Sequence, residues 1–313
     1  DNSRLPQPTG IPFDEVFGIQ IPGRQDVAKR INDFIKKTKT SKSALTSLIK
    51  ADWGEGKTDA YDRYINEPKT GVLKDEHCYS VTTSTIIRKL EMIKNDSHSG
   101  STASNLLAAI FASIGDDIYN KEGKKDKIFY KEKINDPVEY YTKVIQKILK
   151  GNKKNLYIFI DEFEEILHSA KIKTDIISGM KEVFNKQLGI ISEGGEFAGR
   201  VHFFIASTPH AWNKIIEDPD LSNIMGGLER RLAPYLVELP ALTKEDCYNF
   251  LAGLFKYSYG NNFEKLPIAS GGVIETMANV SHNNPGNLIQ TFSHLMHNVQ
   301  DINSSTINCI DFE

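Results

Sequence analysis

Five short stretches of the chain are apolar enough to form buried strands. The strongest is the unbroken apolar run at 156–160, which is typical of a parallel strand covered on both faces. Four further candidate strands, more mixed in composition, lie at 48–49, 77–83, 201–209 and 235–239. Together they predict a parallel sheet with helices on both faces.

Between and after these runs, apolar residues recur at the three- to four-residue spacing of amphipathic helices. Asp136 and Pro137 form an N-cap and a first turn, and Gly151 ends the helix that they begin. One predicted helix begins near Arg24. The others span 105–119, 137–150, 175–191, 243–260, 272–280 and 285–299.

Strands alternate with helices only in the first three quarters of the chain. This order predicts an α/β fold with a three-layer core and a parallel sheet, followed by a small all-helical domain. We place an extended N-terminal arm at 1–22, the α/β core at 23–240 and the helical domain at 241–313.

A glycine-rich loop follows the first predicted strand and reads Gly54-Glu55-Gly56-Lys57-Thr58. Glycines let backbone N–H groups close around a phosphate, and a lysine and a hydroxyl at this spacing are typical of contacts to the β/γ-phosphates and to Mg²⁺. The usual pattern has one more glycine, at the position of Ala51. A glycine turn before a surface helix is the alternative interpretation.

A pair of acids, Asp161 and Glu162, directly follows the apolar run at 156–160. Ligands of α/β sheets bind at the carboxyl ends of strands, where such acids are expected. Asp161 is therefore a candidate Mg²⁺ ligand, and Glu162 a candidate base that orients or deprotonates the attacking water. The order of loop and acid pair favours a nucleoside-triphosphatase.

Two later segments carry further candidates. Ser207 and Thr208 end the fourth strand, where a hydroxyl can contact the γ-phosphate, and a turn that starts at this Ser-Thr-Pro sequence is the alternative interpretation. Arg230 and Arg231 can complete the site of a neighbouring subunit, or act as a salt-bridged pair at a helix end.

Composition narrows the function classes. A net charge of −3 excludes a general nucleic-acid polycation, so DNA contacts would be local, at the lysines of 36–42 and 121–133. Solvated surface is the alternative for both segments. Three widely spaced cysteines suit a reducing, cytoplasmic compartment. The sequence contains no run of 18 apolar residues, so we expect no membrane-spanning helix. We expect no signal peptide at the N-terminus, which lacks an apolar core.

In order and rough spacing, GEGKT, IFIDEFE, FFIASTP, the paired arginines and NNPGNL resemble the functional motifs of AAA+ ATPases. IPGRQDVAKRI is similar to a segment of the origin-recognition and archaeal initiator clade and of related STAND-type ATPases. The resemblance implies an adenine contact near Ile21 and Arg24. The nucleotide-binding candidates are then Ile21, Arg24, Asp52, Trp53, Gly54, Glu55, Gly56, Lys57, Thr58 and Asp59.

The chain also departs from the AAA+ pattern. Gly286 stands where the resemblance implies an arginine that couples the helical lid to the γ-phosphate. Three hypotheses remain: a Mg²⁺-dependent ATPase acting as an assembly switch or motor on DNA, a binding switch with negligible turnover, and a STAND-like defence or signalling ATPase without its effector domain.

Overall fold

The structure is a computed structural model of the chain. It describes residues 22–61, 73, 75–96, 100–122, 134–151, 153–169, 172–184, 195–221, 228–230, 232–259 and 271–298.

A five-stranded sheet lies at the centre of the α/β fold. Its strands are β1 Thr46–Lys50, β2 His77–Thr82, β3 Leu156–Asp161, β4 Val201–Ser207 and β5 Leu236–Glu238. Their spatial order is β2-β3-β4-β1-β5. Each of the five apolar stretches forms a strand, so the predicted α/β class is confirmed.

The register of the parallel pairs aligns the carboxyl ends of four strands. Thr82 lies opposite Asp161, and Lys50 lies opposite Ser207. Because β3 also pairs in parallel with β4, the last residues of β2, β3, β4 and β1 share one edge of the sheet. We call it the carboxyl edge.

Helices account for most of the remaining described residues. They are α1 Pro22–Thr38, α2 Lys57–Ala60, α3 Thr83–Asp96, α4 Thr102–Glu122, α5 Pro137–Leu149, α6 Lys173–Phe184, α7 Pro209–Glu217, α8 Lys244–Tyr259, α9 Gly271–Val280 and α10 Pro285–Asn298. Two 3₁₀ helices span Phe163–His168 and Ala233–Tyr235.

Helices α3 and α7 were not predicted from the sequence. Helix α3 begins directly after β2 without a turn and ends at Asp96. Helix α7 begins after Thr208, where the sequence predicted only a turn as the alternative to a phosphate contact. The predicted Asp136 cap is confirmed, since its side chain accepts a hydrogen bond from the Glu139 N–H at 3.0 Å.

The inner strands explain the unbroken apolar runs. Every residue of β3 and β4 is buried, and helices α4, α5 and α6 contribute large apolar side chains to the same core. Against this sheet, Phe34 of α1 packs edge-on to Phe204, with ring centroids 5.0 Å apart. Complete burial on both faces fixes the strands that carry the candidate acids.

The chain divides into two compact units. The sheet unit comprises the described residues within 30–50 and 64–237. The loop–helix unit comprises those within 22–29, 51–63 and 238–313, including the glycine loop and helices α8, α9 and α10. Among the helices described, none has the length and apolar character needed to cross a membrane.

Candidate functional site

In the sheet unit, Asp161 is the last residue of β3 and lies at the carboxyl edge. Its backbone carbonyl accepts a hydrogen bond from the Thr83 hydroxyl at 2.8 Å, and its Oδ1 accepts one from the Glu162 N–H at 2.9 Å. The side chain is almost fully buried. These contacts hold a carboxylate in a fixed position at the strand end.

Glu162 adopts a left-handed backbone conformation, with φ 54° and ψ 44°. This conformation costs a residue other than glycine about 1–2 kcal/mol. Such residues are concentrated at functional sites, where surrounding contacts hold them in place. Glu162 lies between the end of β3 and the start of the 3₁₀ helix, so this turn gives its side chain a direction that continued strand geometry would not.

A third acid, Glu164, was missed from the sequence. It is buried, and its Oε2 accepts a hydrogen bond from the backbone N–H of Thr208 at 3.3 Å. Glu164 thus ties the segment after β3 to the end of β4. The only sequence signal was the cluster of acids in DEFEE, which does not distinguish a buried acid from exposed ones.

Ser207 and Thr208 lie at the end of β4, next to β3 in the sheet. Thr208 is the N-cap of α7, and its Oγ1 accepts a hydrogen bond from the Ala211 N–H at 3.3 Å. The Ser207 hydroxyl is buried and donates to the Thr208 carbonyl at 3.3 Å. Thr208 therefore begins a helix, which the sequence did not predict, while γ-phosphate contact by either hydroxyl stays a prediction.

In the loop–helix unit, the glycine loop has left-handed residues at Gly54 and Gly56, with φ 78° and 87°. Across the described residues, the non-glycine residues with positive φ are Glu162, His282 and Asn283. Ala51 is not among them, so its backbone geometry is ordinary. Alanine at the position of the first glycine is therefore compatible with this loop conformation.

Lys57 is largely buried within this loop. Its ammonium group donates to the carbonyl of Ala51 at 2.8 Å and to that of Asp52 at 3.2 Å. It also lies 5.7 Å from the centroid of the Trp53 ring, a cation–π distance. The positive charge is therefore held inside the loop, while the Trp53 side chain is 66% exposed.

A second contact missed from the sequence joins the loop to the segment before α10. The Asn284 side-chain amide donates to the Trp53 carbonyl, and its Oδ1 accepts from the Asn287 N–H at 3.1 Å. The Gly286 N–H donates to the Gly54 carbonyl at 2.9 Å. A Cβ added at Gly286 would lie 2.8 Å from the Gly54 Cα, so a side chain there, including an arginine, requires this contact to open.

The remaining candidate residues lie at exposed positions, at positions where only the backbone is described, or outside the described residues. Thr58 is exposed in the first turn of α2, and Asp52 is exposed in the loop. Arg230 is exposed at the end of the helical residues 228–230. Asp59 and Arg24 lie within α2 and α1, and only their backbones are described. Ile21, Arg231 and the lysines of 123–133 lie outside the described residues.

The predicted Mg²⁺ ligands, Thr58 and Asp161, offer a hydroxyl and a carboxylate, the oxygen donors that Mg²⁺ prefers. Within the described part of the chain, no group of three or more His, Cys, Asp and Glu side chains is placed to hold a metal. Mg²⁺ bound with a nucleotide needs only one or two protein ligands, because waters and phosphates complete its coordination. The donor set therefore fits this ion.

No protein-family model matches the chain, and no curated protein is significantly similar to it in sequence. Solved structures do share its fold. Cdc6p from Pyrobaculum aerophilum matches with a TM-score of 0.51 at 11% identity, over 95% of this chain and 64% of that protein. Aeropyrum pernix ORC1, solved in complex with DNA, matches with a TM-score of 0.55 at 11% identity, over 95% and 65%.

This chain therefore spans less than two thirds of the length of either protein. These two structures confirm, at the level of the fold, the resemblance drawn from the sequence motifs.

Proposed function

We propose that the chain binds and hydrolyses ATP with Mg²⁺ and acts as an assembly switch or motor in a DNA-associated process. One observation carries the proposal. Asp161, the left-handed Glu162 and the end of β4 lie along one edge of a parallel sheet, and the strand β1 beside β4 leads directly into the Lys57 loop. Ligands of such sheets bind at this edge.

Each residue has a defined role in this proposal. Lys57 and the loop amides of 54–58 bind the phosphates, and the Glu162 carboxylate accepts a proton from the attacking water. Thr58 and Asp161 would hold Mg²⁺, which neutralises charge on the phosphate oxygens when bound. Since Lys57 now donates to the carbonyls of Ala51 and Asp52, phosphate binding exchanges these contacts for ionic ones.

The proposal extends to assembly. An exposed Arg230, or Arg231 beside it, would reach the phosphates bound by a neighbouring copy and stabilise charge in the transition state. Turnover per chain should therefore rise as chains associate.

The test is the ATPase rate per chain across a dilution series, with the oligomeric state followed by light scattering and the nucleotide content measured. We expect the rate to rise with assembly, and Lys57→Ala to lose nucleotide binding. A chain that binds no nucleotide at any concentration would contradict the proposal, and a rate independent of assembly would remove the trans arginine.

The DNA-associated part of the proposal rests on fold similarity. Aeropyrum pernix ORC1 was solved bound to DNA. On this chain, the lysines of 36–42 and 121–133 are the contacts proposed from the sequence. Affinity for duplex and single-stranded DNA that falls with salt, and falls again when Lys124, Lys125 and Lys127 are neutralised, is the expected result.

A second candidate function is a nucleotide-dependent binding switch with negligible turnover. The Gly286 contact favours it, because the backbone of Gly286 lies against Gly54 and provides no cation for the γ-phosphate. Single-turnover hydrolysis measured with and without DNA separates the two candidates. Conversion of bound ATP within minutes supports the ATPase, and stable retention of ATP under both conditions supports the switch.

A further inference from the structure

A groove of about 840 Å³ opens at the amino-terminal edge of the sheet, opposite the carboxyl edge. The end of α5, the turn that leads into β3 and the turn that leads into β4 form its walls. All of its lining residues belong to the sheet unit. None of them is part of the candidate nucleotide site.

The groove is strongly basic. Its lining includes five cations, Lys143, Lys147, Lys150, Lys153 and Arg200, and a single carboxylate, Glu196. Lys143 also forms an ion pair with Glu139 of the same helix. Glu196 accepts a hydrogen bond from the Gln146 side chain at 3.3 Å. Because the whole chain carries a net charge of −3, this concentration of positive charge does not follow from composition.

Favourable contact with the carboxyl end of a helix explains only part of the cluster. Lys147 is in the last turn of α5 and suits the helix dipole. Lys153 and Arg200 lie outside the helix, on the two turns that face it. The positive charges on these two turns are therefore not explained by the dipole of α5.

Arg200 is held in place within the groove. Its guanidinium donates to the Lys154 carbonyl at 2.6 Å and lies over the ring of Phe197, 5.6 Å from the centroid. A guanidinium fixed in this way loses little side-chain entropy when it binds an anion, and its planar donors suit phosphate. The groove therefore has one ordered cation among exposed lysines.

The lining also identifies the kind of partner. Lysine is depleted at protein–protein interfaces, which usually depend on accessible apolar or aromatic anchors. Here the apolar residues Leu149 and Phe197 are buried, at 1% and 5% exposure, so neither provides an anchor or a surface on which a base could stack. Exposed lysines around a fixed arginine instead suit a partner that carries regularly spaced phosphate groups.

We propose that this groove binds the phosphate backbone of nucleic acid without recognising its sequence. The proposal uses no nucleotide chemistry and holds whether or not the chain hydrolyses ATP. It also places the contact on residues other than the lysines of 36–42 and 121–133.

The test compares two triple variants with the same change in net charge. The groove variant is Lys147→Glu, Lys150→Glu and Lys153→Glu, and the control is Lys29→Glu, Lys214→Glu and Lys244→Glu, which changes exposed lysines elsewhere. Fluorescence anisotropy measures binding of a labelled mixed-sequence duplex and a labelled single strand, without ATP, from 50 to 300 mM salt.

We expect the groove variant to bind at least ~10-fold more weakly than the control and to lower the slope of log K against log salt by about 1 per lysine. Equal weakening by both variants, or no binding by the unaltered chain at low salt, would overturn the proposal. So would displacement of DNA by polyglutamate at an equal concentration of charge, because it would indicate an acidic protein partner. If the Glu variants fail to fold by circular dichroism, the corresponding Gln variants give the same comparison.

Discussion

The glycine loop and the acidic end of β3 reach their geometry by different routes. Asp161 ends a strand whose every residue is buried, and its carbonyl accepts from Thr83 of the same unit. In that unit, Glu164 accepts from the Thr208 N–H. The loop instead depends on a segment more than 200 residues away, where Asn284 and Gly286 bind two of its carbonyls. Rigid burial fixes the acids, whereas the loop conformation depends on a small set of polar contacts.

Among these substitutions, removing the proposed base should have the largest effect, which is on the rate of ATP hydrolysis. The substitution changes one group and leaves the rigid acidic end intact. Glu162→Gln should bind ATP and hydrolyse it at least ~100-fold more slowly, the usual cost of losing a general base. Multiple-turnover phosphate release, with nucleotide affinity measured separately, tests this. Glu165→Gln is the matched control and should turn over normally, and near-normal turnover in Glu162→Gln would refute the assignment.

The loop contact can be broken with a single isosteric change. Asn284→Asp keeps the oxygen that caps α10 but replaces the amide donor to Trp53 with a carboxylate. We expect nucleotide affinity to fall about 10-fold, which corresponds to about 1.4 kcal/mol, the size of one hydrogen bond. The exposed Trp53 reports binding by its fluorescence.

Asn279→Asp, an exposed change of the same charge on α9, is the control and should leave affinity unchanged. If both variants lose affinity equally, added negative charge is responsible rather than the lost amide contact.

At the acidic end, Glu164 should affect stability more than binding. Glu164→Ala removes the buried acceptor of the Thr208 N–H and should lower the free energy of unfolding by about 1–3 kcal/mol. Glu164→Gln keeps an acceptor oxygen and should recover most of the loss. Urea unfolding of the three proteins measures this, and equal losses in both variants would show that the charge, not the hydrogen bond, matters.

The positions of the strands could be predicted because burial on both faces leaves continuous apolar runs, as in 156–160. The acids and the glycine loop could be predicted because their order along the chain carries the signal. Helix α3 could not, since it follows β2 without a turn residue. The roles of Glu164, Asn284 and Gly286 could not, because each depends on a partner distant in sequence, and the left-handed conformation of Glu162 has no sequence signature.

A smaller, pH-dependent effect is expected within the sheet. Burial lowers the pKa of His202 to about 4, and the neutral ring accepts from the Leu45 N–H through Nδ1 and contacts the Gly199 carbonyl through Nε2. In the unfolded chain this histidine takes up a proton below its ordinary pKa of about 6.5. The contribution of His202 to the free energy of unfolding is therefore complete above pH 6.5 and is lost as the pH falls from there towards 4.

Over this window the loss should approach about 1.4 kcal/mol per pH unit. Urea unfolding at several pH values between 7.5 and 4.5, in the unaltered chain and in His202→Gln, measures it. A pH dependence that is the same in both proteins would assign the effect to other groups.

The central claim is that the glycine loop and the acidic strand end act on one bound Mg²⁺–ATP. The most direct test is a double-mutant cycle of Thr58→Ala and Asp161→Asn, with ATP affinity measured by calorimetry with Mg²⁺ and with EDTA. Two ligands of one ion should give a coupling of about 0.5–3 kcal/mol with Mg²⁺ and none with EDTA. Additive effects of the two substitutions in the presence of Mg²⁺ would contradict the claim.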